Sequence, residues 1–111
     1  MQCEDRYDTV FQAAQSAVLR LGGRVVHANR SSGSILGRLE VDVLGFAAEL
    51  RVTLGRLPDY DPRTLEPIDV SVSAAEPGVS NADPDRAEEL RRLEKQYLEL
   101  VRERASCGSP Y

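Results

Sequence analysis

The side chains with most capacity for chemistry are few and scattered. His27 is the chain's single histidine. It could act as a general base, but nucleophilic catalysis needs a Ser or Cys held beside it. The spacing sets up no such partner, and a solvated surface histidine is expected. Asp59–Tyr60–Asp61, with Glu66 and Asp69 nearby, offers oxygen ligands for a hard cation. The stretch lacks the glycine and the terminal bidentate glutamate of an EF-hand loop. Aspartates beside prolines are ordinary turn formers, so no metal site is assigned. Glu40 and Glu49 could pair as acid and base on facing strands. Arg38 and Arg51 lie so close in sequence that cross-strand ion pairing is the expected role.

Residues 29–41, NRSSGSILGRLEV, look most like a site. A loop that grips a phosphate needs converging backbone amides and usually a helix N-terminus directly after it. Here an alternating, strand-like run follows instead. Neither GxxxxGK[ST] nor GxGxxG spacing occurs, so no cofactor is implied. Ser31, Ser32 and Gly33 are expected to form a hairpin turn. Asn29–Arg30–Ser31 also fits the glycosylation sequon, a match common by chance.

The elements that would position these residues follow from periodicity. Tyr7, Val10, Phe11, Ala14, Val18 and Leu21 form one stripe of a helix over about residues 5–21, which Gly22–Gly23 ends. Four runs then alternate with a period of two: 24–29, 34–43, 46–54 and 68–74. In the first, Val26 and Ala28 are expected on one side and Val25, His27 and Asn29 on the other. The later runs place Ile35, Gly37, Leu39, Val41, Val43, Phe46, Ala48, Leu50, Val52, Leu54, Ile68, Val70, Val72 and Ala74 on a buried face. The connection from Gly55 to Pro67 contains Pro58, Pro62 and Pro67 and should be irregular. Asp83–Pro84 opens a second helix reaching about Ala105, with Asp83 as N-cap. Its stripe is Ala87, Leu90, Leu93, Tyr97, Leu100 and Val101.

The expected fold is therefore one α+β domain over 1–111, ordered over about 5–105, with a frayed tail at 106–111. Its two layers follow the order α-β-β-β-β-α. A four-stranded antiparallel meander carries both helices on one face, because only the helices can cover the apolar side. The first and fourth strands would be open edges.

The chain has 111 residues, a formal net charge of −4 and a pI near 5.0. That balance, and a sheet face without aromatics, excludes nucleic acid as a partner. No apolar run is long enough to span a bilayer. MQCEDRYDTV lacks the basic and apolar regions of a secretory signal, so the chain reads as cytoplasmic as written. Removal of a signal ahead of Cys3 would make it periplasmic or lipid-anchored. Cys3 and Cys107 have no metal-site or CxxC spacing. The topology lets both chain ends meet, so a bridge is possible. The absence of an export signal favours free thiols.

The run LGGRVVHANRSSGSILGRL resembles the helix exit, strand and hairpin of small uncharacterised bacterial envelope domains, lipoprotein families among them. The layout is also similar to helix-grip and TATA-binding-protein-like half-domains. The resemblance implies a fold and transfers no functional residue.

With no catalytic constellation, the leading expectation is a non-catalytic interaction or assembly domain. It would bind a protein partner or a second copy through its edge strands. Its exposed sheet face of His27, Arg38, Glu40, Glu49, Arg51 and Asp69 is the other candidate surface. The alternative is an apolar-ligand domain with a pocket between helices and sheet lined by Phe11, Phe46, Tyr97 and Leu100.

Overall fold

The computed structural model describes residues 1–40, 45–55, 66–77 and 84–108, and the side chain of Glu66 lies outside that description. The element order is β1 (Gln2–Asp5), α1 (Tyr7–Arg20), β2 (Arg24–Asn29), β3 (Ser34–Leu39), β4 (Ala48–Gly55), β5 (Glu66–Ala75) and α2 (Pro84–Arg104). The expected Asp83 cap, the outer part of the second run at 41–43 and the Asp59–Tyr60–Asp61 cluster lie outside the described residues.

All strand pairs are antiparallel. The fold is α+β, as the alternation implies, but the sheet has five strands in the order β1-β5-β4-β3-β2. Four strands were expected. The additional strand is QCED, four residues that bear only one apolar side chain. Cys3 stands opposite Ile68, and both are fully buried. Such a strand is specified by a distant partner, so no local periodicity announces it.

Pro67 falls inside β5, against the expectation that the connection from Gly55 to Pro67 is irregular throughout. It stands opposite Glu4, whose N–H points away from β5 to the carbonyl of Ser106 at 2.7 Å. That makes Glu4–Pro67 a position without ladder hydrogen bonds, where the missing N–H costs nothing.

The inner sheet face buries Ile35, Leu39, Ala48, Leu50, Val52, Leu54, Ile68 and Val70. Helix α1 adds Tyr7, Val10, Phe11, Ala13, Ala14, Ala17 and Val18, and α2 adds Leu90, Leu93, Tyr97 and Val101. These form one cluster, so both helices cover the same face. A Cβ on Gly37 would stand 2.8 Å from a Val18 methyl. Glycine there lets α1 lie close against β3.

The 29–34 segment is a hairpin turn. The Asn29 side-chain oxygen accepts hydrogen bonds from the N–H groups of Ser31 (3.0 Å) and Ser32 (3.2 Å), an Asx-type turn. Gly33 has φ +72°, and a Cβ there would lie 2.5 Å from the Leu54 carbonyl oxygen. Both the left-handed backbone and the close approach require glycine. Gly33→Ala should lower the unfolding free energy by at least ~2 kcal/mol, from backbone strain plus overpacking. Urea denaturation would read this as a lower midpoint at unchanged slope.

Candidate functional site: the outer sheet face and the two edges

Cross-strand register builds the outer face row by row. His27, Leu36, Arg51 and Ser73 share one row. Arg24, Arg38, Glu49 and Ala75 form the next, and Asn29, Ser34, Thr53 and Ser71 a third. Asp69 lies at the far end, between Gly55 and Gln2. The structure thus brings His27, Arg38, Glu49 and Arg51 onto adjoining rows. Glu40 joins them through Arg24, at 3.4 Å.

The two glutamates are engaged by arginines. Arg38 donates to Glu49 Oε1 at 2.7 Å, and Arg51 lies 4.0 Å from Glu49 Oε2. Neither carboxylate faces the other as an acid–base pair. Pairs this close to solvent contribute only ~0–1 kcal/mol each. His27 is exposed and stands opposite Leu36, an apolar neighbour that cannot serve as a nucleophile.

Of the four residues expected to line a pocket, Phe11, Phe46 and Tyr97 are buried and Leu100 is half-buried. Phe11 stacks on Tyr7 with centroids 6.0 Å apart. The Arg86 guanidinium sits 3.8 Å above the Phe46 ring, a cation–π contact. Phe46 also lines a shallow surface cleft of about 180 Å³ with Glu89, Arg92, Leu93 and Gln96. Tyr97 is fully buried and donates its hydroxyl hydrogen to the Ala14 carbonyl at 2.9 Å. Its polar end is spent tying α2 to α1.

The two sheet edges differ sharply. Cys3 and Cys107 form a disulfide with an S–S distance of 2.06 Å across a sequence separation of 104. The expectation of free thiols is therefore corrected. The strand β1 brings Cys3 to the sheet margin, where the segment after α2 lies alongside. Residues 106–108, expected to fray, are instead bonded to β1. The N–H of Gly108 donates to Gln2 O at 2.9 Å, and Ser106 N–H to Asp5 Oδ2 at 3.0 Å. Cys3 has no exposed surface and its sulfur is used by the bridge, so this form cannot carry a lipid on that sulfur.

Beyond β1, the N–H of Val70 donates to Met1 O at 2.7 Å, and Ala74 N–H to Glu94 Oε1 at 3.2 Å. The fourth expected strand, β5, is therefore not an edge. That margin is covered by β1, by the segment after α2 and by a helix carboxylate.

The opposite margin is β2, an edge strand as expected. Its ladder to β3 shifts between Val25 and His27, a β-bulge at Val26. Val25 pairs with Gly37 and Ala28 with Ile35, both core-side positions, whereas Val26 stands out of the ladder with 48% of its surface exposed. Val26 and Ala28 are thus not on one side, because the bulge changes parity between them. The Val25–Val26 doublet followed by Ala28 is the sequence sign of it. Val26 and Leu19 (59%) are the exposed large hydrophobics among the described residues.

Comparison with family models, curated proteins and solved structures returned no match. Among the described residues, no helix is long and apolar enough to cross a membrane.

Proposed function

We propose that the chain is a non-catalytic assembly domain of an oxidising compartment such as the periplasm, and that it joins a second copy through the β2 edge. The observation that carries this reading is the asymmetry of the margins. One is sealed by a disulfide and flanking hydrogen bonds, while β2 carries an exposed valine. The disulfide supports the compartment, since such bridges persist where thiols are not kept reduced.

The sequence of β2 suits antiparallel pairing with itself. About its own middle, RVVHAN sets Arg24 opposite the second copy's neutral Asn29 and Val25 opposite its Ala28. Val25 and Ala28 both register with core-side residues of β3, so the two apolar layers would continue across the junction. No like charges face each other directly. A two-fold arrangement of this kind is closed and stops at two copies. The bulge serves the same end, because a kinked six-residue edge does not template an open-ended sheet. The apolar-ligand alternative has less support, since the Tyr97 hydroxyl is consumed internally and Phe11 is packed on Tyr7.

Sedimentation velocity over a concentration series tests the proposal. The wild-type chain should form a reversible dimer, and Val26→Lys should hold it monomeric without changing its circular dichroism spectrum. A wild-type chain that stays monomeric throughout, or a dimer indifferent to Val26→Lys, would overturn it.

A further inference from the structure

The sealed margin has a second implication, independent of pairing at β2. Strand β5 is the longest in the sheet at ten residues, and its alternating sequence supports pairing along its length. Its outer edge is paired by the four residues of β1 and, through two hydrogen bonds at Val70, by Met1. Those four are tethered by the bridge to a segment that itself makes only short contacts with β1. We propose that the β5 edge is a strand-accepting site, occupied in cis by Gln2–Asp5 and opened by thiol exchange at Cys3–Cys107. Its ligand is an extended peptide with a small side chain at the position of Cys3 and polar or acidic neighbours. That class follows from the present occupant. Cys3 fills a fully buried position facing Ile68, which has room for a small side chain and no water for a charged one. Gln2 and Glu4 lie on the opposite, exposed face.

The two sulfurs of the bridge differ in access. Cys3 is fully buried, whereas Cys107 is half-buried and lines a surface cleft of about 460 Å³ with Gln2, Glu4, Ser106 and Gly108. A dithiol reductant would act there. Its thiolate attacks Cys107 Sγ, the S–S bond breaks, and Cys3 leaves as a thiolate. That thiolate takes a proton, because its apolar surroundings disfavour the charge. The reductant's second thiolate then attacks its own sulfur in the mixed disulfide and releases Cys107 as a thiolate. The dithiol is oxidised to a disulfide and the protein bridge is reduced by two electrons. Strand β1 is then held without a covalent tie, by its short ladder and its hydrogen bonds to Ser106 and Gly108.

While β1 stays seated, any external strand competes with a tethered one at an effective concentration in the millimolar range. The test therefore removes the competitor. In the full-length double variant Cys3→Asp, Cys107→Ser, a carboxylate replaces the buried thiol and drives β1 out. A fluorescent peptide of residues 1–6 with serine at the cysteine position is the probe, read by anisotropy. It should bind this variant about 100-fold more tightly than the oxidised wild-type chain. Should the variant lose its circular dichroism signal, the reduced wild-type chain replaces it, with tryptic cleavage after Arg6 as the readout. Reduction should accelerate that cleavage severalfold, and excess peptide should accelerate it further by keeping β1 displaced. Equal peptide affinity for the folded variant and the oxidised chain would overturn the proposal. Cleavage after Arg6 unaffected by reduction would do the same.

Discussion

Cys107→Ser is expected to lower the unfolding free energy by ~4–5 kcal/mol. The bridge joins residues separated by 104 positions. In the chain-entropy model a loop of that size removes about 4.7 kcal/mol of freedom from the unfolded state. That is a large share of the ~5–15 kcal/mol that holds a typical domain folded. The loss has a structural component too. Cys107 aligns Ser106 and Gly108 with β1, so its removal loosens the hydrogen bonds to Glu4 and Gln2. Denaturant titration of the oxidised chain, the reduced chain and Cys107→Ser should place the latter two together, well below the first. A reduced chain as stable as the oxidised one would show that β1 is held without the bridge.

Tyr97→Ala comes second, at ~3–5 kcal/mol. The ring is fully buried between the helices and the sheet, and its removal leaves a cavity that the cluster around it cannot close. Tyr97→Phe keeps the ring and loses the hydrogen bond to Ala14, a change of only ~1 kcal/mol. The contrast between the two variants separates packing from hydrogen bonding. The same residue gives a pH dependence. Burial pushes the Tyr97 phenol well above the ordinary tyrosine range. Unfolded tyrosine ionises near pH ~10, so above that pH the unfolded chain gives up a proton that the folded chain retains. Stability should therefore be unaffected by Tyr97 below pH ~10 and fall as pH rises beyond it. Tyr97→Phe should flatten that alkaline decline, which thermal midpoints across the range would reveal.

The layered architecture was legible because its main signal is local. Five alternating residues, Ile35 to Leu39, already state which side of β3 faces the core, and the stripe from Tyr7 to Val18 states the same for α1. The hairpin was legible because Asn29, Ser31, Ser32 and Gly33 are turn residues by their own chemistry. The pairing of Glu49 with Arg38 and Arg51 also follows from position, since the register sets Arg38 opposite Glu49, whereas Glu40 pairs with Arg24, an arginine the spacing did not single out.

What the sequence hid was non-local. Strand β1 has too few apolar residues to show a period, and it exists because Ile68 and Cys107 lie beside it. The disulfide fixes that strand to the segment after α2. Free thiols were expected from the lack of an export signal, although the topology already let the two chain ends meet. The bulge at Val26 was hidden for a different reason. A two-residue period has no way to register one inserted residue except as a doublet, and Val25–Val26 reads equally well as a buried pair. Each of these features lies at a margin of the sheet, where the edges and thus the proposed contacts are decided.

Amide hydrogen exchange at that sealed margin is the most direct test. In the oxidised chain, the N–H groups of Glu4, Val70 and Gly108 should exchange slowly, because each is held by a backbone carbonyl across the β1 boundary. Adding a dithiol should speed all three together while the amides of β3 and β4 stay protected. If Glu4 and Gly108 exchange in the oxidised chain as freely as an unstructured peptide, β1 is not part of the sheet and the asymmetry of its edges is wrong.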